Sequence, residues 1–173
     1  ANTEKFLLLP LVGTLAIYVF NREKNSRWPW FWAGVCGAIA ILYKQIAIVP
    51  VIYIFAVWLV EDKKKSPAKF FSALGGGLAA FFLCSGYFIL RGALPAFWEQ
   101  LVVFNKYYAL SFGGISPYWL VEYFSRFLSS WPMVFILLGW FLIKRPSRRW
   151  FYLGLFAVSL LTVFNTPYGH YYI

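Results

Sequence analysis

Acidic residues are scarce in this sequence. Six Asp and Glu stand against sixteen Lys and Arg among 173 residues, for a formal net charge of +10, and charged residues of both signs make up only 13%. So little charge beside 61% hydrophobic residues excludes both a disordered polymer and an ordinary soluble domain. Two cysteines exclude a disulfide-stapled secreted module. The sequence has no Gly-x-x-x-x-Gly-Lys loop to cradle a nucleotide phosphate and no Cys/His set at metal-ligand spacing, so neither a cofactor nor a metal is expected. The excess of positive charge would suggest nucleic acid in a soluble protein. Here the cations cluster in short loops between apolar runs, as membrane insertion arranges them, and no nucleic-acid partner is expected.

What is abundant is apolar and aromatic: 23% of the residues are Phe, Trp or Tyr, and the mean hydropathy is +0.65. About 20 largely apolar residues cross a bilayer as helix, and runs of roughly 17 suffice with interfacial flanks. Six runs approach that length: 6–20, 28–43, 46–60, 70–90, 131–143 and 150–164. Several are short and must borrow aromatic ends, such as Trp28, Trp30, Trp32, Trp131 and Trp150. One helix over 28–60 would be about 50 Å long against a hydrocarbon core of about 30 Å. It would also leave Lys44 near mid-membrane at a cost of about 2.5 to 3.5 kcal/mol. Two spans joined at Lys44-Gln45 fit better, and Pro50 supports a break or kink close by.

Charge provides an independent test of the span count. Arg22, Lys24 and Arg27 lie in one loop, Lys63, Lys64, Lys65 and Lys69 in another, and Lys144, Arg145, Arg148 and Arg149 in a third. If all three face the cytoplasm, an even number of spans separates each pair, and the six-span reading supplies two each time. The amino end, the Lys44-Gln45 turn, the segment 91–130 and the carboxy end then share the outer side. Residues 118–129 read as a flat interfacial helix, with Trp119, Leu120, Tyr123, Phe124, Phe127 and Leu128 on one face and Glu122, Ser125, Arg126 and Ser129 on the other. Residues 93–110 carry a weaker stripe, and 111–117 form a turn-rich hinge between the two. The expected fold is all-α: a polytopic membrane helical bundle of about six spans, with two interfacial helices on the outer side.

The chain starts at Ala1 rather than Met and stops inside the aromatic stretch 168–173. It is therefore expected to be an internal piece of a longer protein, with residues 1–173 forming part of a single multi-span domain. Small residues four apart, as in Ser72, Gly76 and Ala80 or Gly34 and Ala38, predict close-packing faces, whereas Gly75, Gly76 and Gly77 in a row could also mark an unwound turn. Cys36 and Cys84 read as buried small apolar residues.

No acid falls at the centre of a span, which argues against an ion-coupled transporter. Cations do gather on the outer side, where positive charge is disfavoured: Lys44 with Gln45, Arg91, Lys106, Arg126 and His170. Singly, each has a plainer reading, such as snorkelling of Lys44 and Arg91 or pairing of Arg126 with Glu122. Together they point to an anion site at the outer surface.

Asn2-Thr3-Glu4-Lys5-Phe6 opens a span. Ala33-Gly34-Val35-Cys36-Gly37 leads to Tyr43-Lys44-Gln45. Gly92-Ala93-Leu94 precedes Phe104-Asn105-Lys106-Tyr107-Tyr108, and Tyr168-Gly169-His170-Tyr171-Tyr172 follows last. In that order these segments resemble the GT-C glycosyltransferases, and most nearly the bacterial relatives of protein O-mannosyltransferases and lipid A aminoarabinose transferases, a glycosyltransferase family 39-like group. The resemblance implies a multi-pass cell-membrane enzyme that moves a sugar from a polyprenyl-phosphate carrier to an acceptor on the periplasmic or extracellular face. The lipid-linked sugar is its substrate, and no further cofactor is implied. The family's catalytic acid sits in an outer loop that would precede Ala1, so no catalytic residue is assigned within 1–173 and the chain alone is expected to be inactive. The resemblance further implies that Lys44 and His170 face the carrier phosphate. Arg91 and Gln45 would stand beside it by position, Tyr171 would add a hydroxyl donor, and Glu4 would contact acceptor or sugar, although pairing with Lys5 is its plainer reading. A lipid-linked glycan flippase or other polytopic transporter is the rival from another class, and a non-catalytic membrane scaffold is a third.

Overall fold

The computed structural model describes residues 4–61, 67–103, 106, 121–122, 125, 136, 139–140, 143–144 and 148–164, with the side chains of all but 4–7 and 160–164. Every regular element among the described residues is helical. The chain divides into two compact units, Ala1–Tyr107 and Tyr108–Ile173.

The first unit holds α1 (Glu4–Asn21), α2 (Trp28–Tyr43), a 3-10 turn (Gln45–Ala47), α3 (Ile48–Glu61), α4 (Pro67–Leu90), α5 (Leu94–Trp98) and a π-helical turn (Glu99–Val103). Prolines help to start these helices: Pro29 lies in the first turn of α2 and Pro67 is the first residue of α4, positions whose N–H would have no helical partner. Pro10 lies inside α1, where the Thr14 hydroxyl donates to its carbonyl at 3.0 Å. The break expected at Lys44 is present, with φ −156° and ψ 114°. Pro50 sits in the first turn of α3, where it breaks nothing; the backbone departs from helix six residues earlier.

α2 is the centre of this unit, with α1 and α4 against it. α1 runs antiparallel to it: Tyr18 meets Trp30 edge to face, the Thr14 hydroxyl reaches the Ala33 carbonyl at 3.5 Å, and Gly13 packs on Cys36. α4 runs parallel to it. The Ser72 hydroxyl donates to the Arg27 carbonyl at 2.9 Å, Gly76 lies on the Phe31 carbonyl, and Gly34 lies on the Ala73 carbonyl. A Cβ added at Gly34 or Gly76 would overlap those oxygens, so the two backbones touch because both residues lack a side chain. The glycine run thus lies within a continuous helix rather than an unwound turn, with Gly76 and Gly77 on the packing face and Gly75 off it. Cys36 and Cys84 are free and half-buried.

Two readings of the sequence need correction. Trp30, expected as an interfacial anchor with Trp28 and Trp32, is 0% exposed, whereas those neighbours are 64% and 56% exposed. Residues two apart on a helix face different ways, and Trp30 turns inward to stack on Trp58 of α3, with ring centroids 4.2 Å apart. Lys69, expected in a loop, lies in the first turn of α4, buried, with its ammonium 5.9 Å from the centre of the Trp30 ring. The long aliphatic stem of lysine makes such burial against an aromatic ring tolerable.

Only α4 among the described residues is both long and apolar enough to cross a membrane; Leu8–Asn21, Trp28–Tyr43 and Gln45–Glu61 are apolar but shorter. At 1.5 Å per residue α4 is about 36 Å long, against about 30 Å of hydrocarbon. Helix length by itself therefore carries one span, not six.

In the second unit, Arg149–Phe164 forms α6, beginning close to the predicted 150–164 run. Phe151 is buried and Trp150 is 75% exposed, as an interfacial anchor would be. Lys144 and Arg149 lie over the rings of Trp140 and Trp150. The described residues at 121–122, 125, 136, 139–140 and 143–144 are helical. The hinge at 111–117 and most of the second expected interfacial helix lie outside the described residues, which include α5, the π turn and Lys106 of the first and Val121, Glu122 and Ser125 of the second.

Candidate functional site

The two ends of the α1–α4 bundle differ in chemistry, and the candidate site residues of the first unit share one end. α2 and α4 are parallel, so their C-terminal residues lie together at the end opposite Trp30. Lys44 caps α2 in extended backbone: its N–H donates to the Ala40 carbonyl at 3.1 Å, and its own carbonyl accepts from Ala47 at 2.9 Å. The lysine is half-exposed, as is Gln45 beside it.

α4 ends in a tight reversal with a clear physical cause. Gly92 has φ +64°, a left-handed value that costs glycine little. Its N–H donates to Ile89 at 3.0 Å and the next N–H, of Ala93, donates to Phe88 at 2.8 Å, the Schellman pattern that satisfies the last carbonyls of a helix. Phe97 of α5 then stacks on Phe88 with centroids 4.7 Å apart, holding the returning chain against α4. Arg91 lies at this reversal, exposed, with its guanidinium 5.8 Å from the Tyr87 ring.

The π turn that follows brings the Leu101 carbonyl to the side-chain amide of Gln45, which donates to it at 3.1 Å. This bond links residues 56 apart and ties the Lys44-Gln45 turn to the segment following Arg91. π turns are rare and recur at functional sites, where the extra residue re-aims neighbouring groups. By the antiparallel register of α1 on α2, Glu4 also falls at this end, at the start of α1. Lys106 is helical and exposed. His170, Tyr171 and Arg126 lie outside the described residues.

Lys44, Gln45 and Arg91 are thus brought to one end of one bundle. Each cation also offsets the negative C-terminal dipole of its helix, worth about 0.3 to 1 kcal/mol at a surface. Cations gathered with a fixed amide at one surface can attract an anion, and where they touch it they stabilise negative charge that develops on a leaving group. Among the described residues no group of three His, Cys, Asp or Glu could hold a metal ion.

The opposite end holds a cluster that sequence reasoning missed. The Tyr18 hydroxyl donates to Glu61 at 2.7 Å, and Arg22 approaches the same carboxylate at 3.6 Å and that of Glu23 at 2.8 Å. The signal available was parity: the end of α1 and the end of α3 must meet if α2 intervenes, which puts a tyrosine, an arginine and a glutamate within reach.

No family model, no curated protein and no solved structure matches the chain.

Proposed function

We propose that the chain is the multi-span part of an integral-membrane glycosyltransferase, which moves a sugar from a polyprenyl-phosphate carrier to an acceptor on the outer face of the cell membrane. The Gln45 amide on the Leu101 carbonyl carries the proposal, because it joins the turn bearing Lys44 to the segment following Arg91. The membrane setting is supported by the surface. Leu9, Phe20, Val60, Leu83 and Leu90 are each more than 70% exposed on helices that are apolar nearly all round, a surface suited to lipid and unsuited to water. It is also supported by charge, since Arg22, Lys24, Arg27 and Lys69 fall at the bundle end opposite Lys44 and Arg91, consistent with a cytoplasmic Trp30 end and an outer Lys44 end.

In this reading Lys44 holds the carrier phosphate, and His170 is given the same role by the resemblance alone. Negative charge builds on that phosphate as the anomeric bond breaks, and a cation fixed at its oxygens stabilises that state more than the ground state. Arg91, Gln45 and Tyr171 add donors around it, and Glu4 contacts sugar or acceptor. The test is sugar transfer by the full-length protein from a polyprenyl-phosphate donor. Lys44→Ala and His170→Ala should each lower turnover about 100-fold, the usual effect of removing one charge-stabilising donor, with membrane insertion intact. Unchanged turnover in both variants refutes the role.

A further inference from the structure

An open apolar groove of ≈ 280 Å³ runs between α2, α3 and α4. Its floor is cut by small residues, Gly34, Gly37, Ala38 and Gly77, and its walls include Phe55, Phe70 and Leu74. Phe70, Leu74 and Leu78 at the rim are 41%, 47% and 46% exposed. From Phe70 to Leu78 the groove follows α4 for about 12 Å, two turns of helix.

Positive charge lies at one end of this groove. Trp30 precedes Gly34 by one turn and Trp58 follows Phe55 by three residues, so the stacked Trp30–Trp58 pair lies beyond the lining residues, toward the end of α4 where Lys69 lies. α2 and α4 both begin there and run parallel, so their N-terminal partial charges, each worth about half a unit, add together. Neither helix has an acid in its first turn. Arg27 is exposed immediately before α2 and is tied to α4 through Ser72. Glu61, the last residue of α3, is engaged by Tyr18 and Arg22. The indole N–H groups of Trp30 and Trp58 are both buried without an acceptor among the described residues.

We propose that the groove binds an acyl chain of an anionic phospholipid from the cytoplasmic leaflet, with its phosphate at Arg27. Lys69, buried over Trp30, lies at the same end of the bundle. Lipid tails are as apolar as leucine, so the groove alone discriminates nothing within a bilayer, and selectivity comes from the cations. Each cation near such a surface contributes about fivefold in binding. The inference rests on the membrane setting proposed above and concerns the bundle end opposite the proposed sugar-transfer site.

The test uses the purified full chain in phosphatidylcholine vesicles carrying a minor fraction of either brominated phosphatidylglycerol or brominated phosphatidylcholine, and reads quenching of tryptophan fluorescence. The wild type should be quenched more strongly by the brominated phosphatidylglycerol. Arg27→Gln, at an exposed position that leaves packing alone, should reduce the preference about fivefold. Ala38→Phe, which fills the groove, should remove the quenching component that depends on phosphatidylglycerol. Equal quenching by both lipids, or a preference untouched by both variants, overturns the proposal. Absence of quenching by either lipid in vesicle-bound protein overturns it in favour of a protein segment covering the groove. Protein that fails to float with the vesicles refutes the membrane setting itself, and the inference falls with it.

Discussion

Gly75 and Gly76 are adjacent in one helix, yet their substitution by alanine should have opposite effects. A Cβ at Gly75 meets nothing within 4 Å, so Gly75→Ala adds only the helix preference of alanine, a gain of about 0.8 to 1 kcal/mol. Gly76→Ala gains the same preference but drives a methyl into the Phe31 carbonyl of α2. Overpacking typically costs about 1 to 3 kcal/mol, and the upper figure applies because the obstacle is backbone that cannot change rotamer. The net loss at Gly76 is then about 2 kcal/mol, leaving the two variants about 3 kcal/mol apart. Thermal unfolding in mild detergent, followed by far-UV circular dichroism, should separate their midpoints by about 6 to 12 °C, with Gly75→Ala the higher. Equal midpoints would mean that α2 and α4 do not meet at Gly76, and the bundle geometry, including the floor of the apolar groove, would have to be abandoned.

Other consequences are more local. Tyr18→Phe removes the hydroxyl that donates to Glu61 from a residue that is 0% exposed, and should lower stability by about 1 to 2 kcal/mol in the same assay, whereas Arg22→Gln should cost less than about 1 kcal/mol because that ion pair is long and half-open to solvent. Trp30→Ala should cost about 3 to 5 kcal/mol through the cavity left beside Trp58, far more than Trp28→Ala at its exposed neighbour. Gln45→Ala should speed hydrogen exchange of the 99–103 amides while moving the global midpoint little, because it releases a single bond of about 0.5 to 1.5 kcal/mol between two surface segments; unchanged exchange there would show that the bond does not hold the π turn.

The helical elements were legible because charge and hydropathy mark their ends. The predicted run 28–43 coincides with α2, and the break at Lys44 followed from the cost of a lysine at mid-membrane together with the excessive length of a single helix. The small-residue spacing through Ser72, Gly76 and Ala80 marked a packing face but not its partner, which the structure shows to be α2 at Ser72 and Gly76. Inward or outward direction was less legible. Trp30 and Trp32 have the same chemistry in the sequence, and only the partner at Trp58 separates core from rim. Lys69 reads as the tail of a basic loop, although Pro67 two residues earlier is a helix-start signal that would have moved it into α4. At the candidate site, the shared end of Lys44 and Arg91 followed from counting spans. The Gln45 bond to Leu101 was not foreseeable, since its partner is a backbone carbonyl 56 residues away in a π turn that no composition signals.

Sidedness is the most direct test of the account. Single cysteines introduced as Lys44→Cys, Arg91→Cys, His170→Cys and Lys24→Cys, in full-length protein with Cys36 and Cys84 replaced by alanine, can be probed in intact cells with a membrane-impermeant maleimide. Positions 44, 91 and 170 should label from outside, and position 24 only after permeabilisation. Positions 44 and 170 reacting from opposite faces of the membrane would contradict the account.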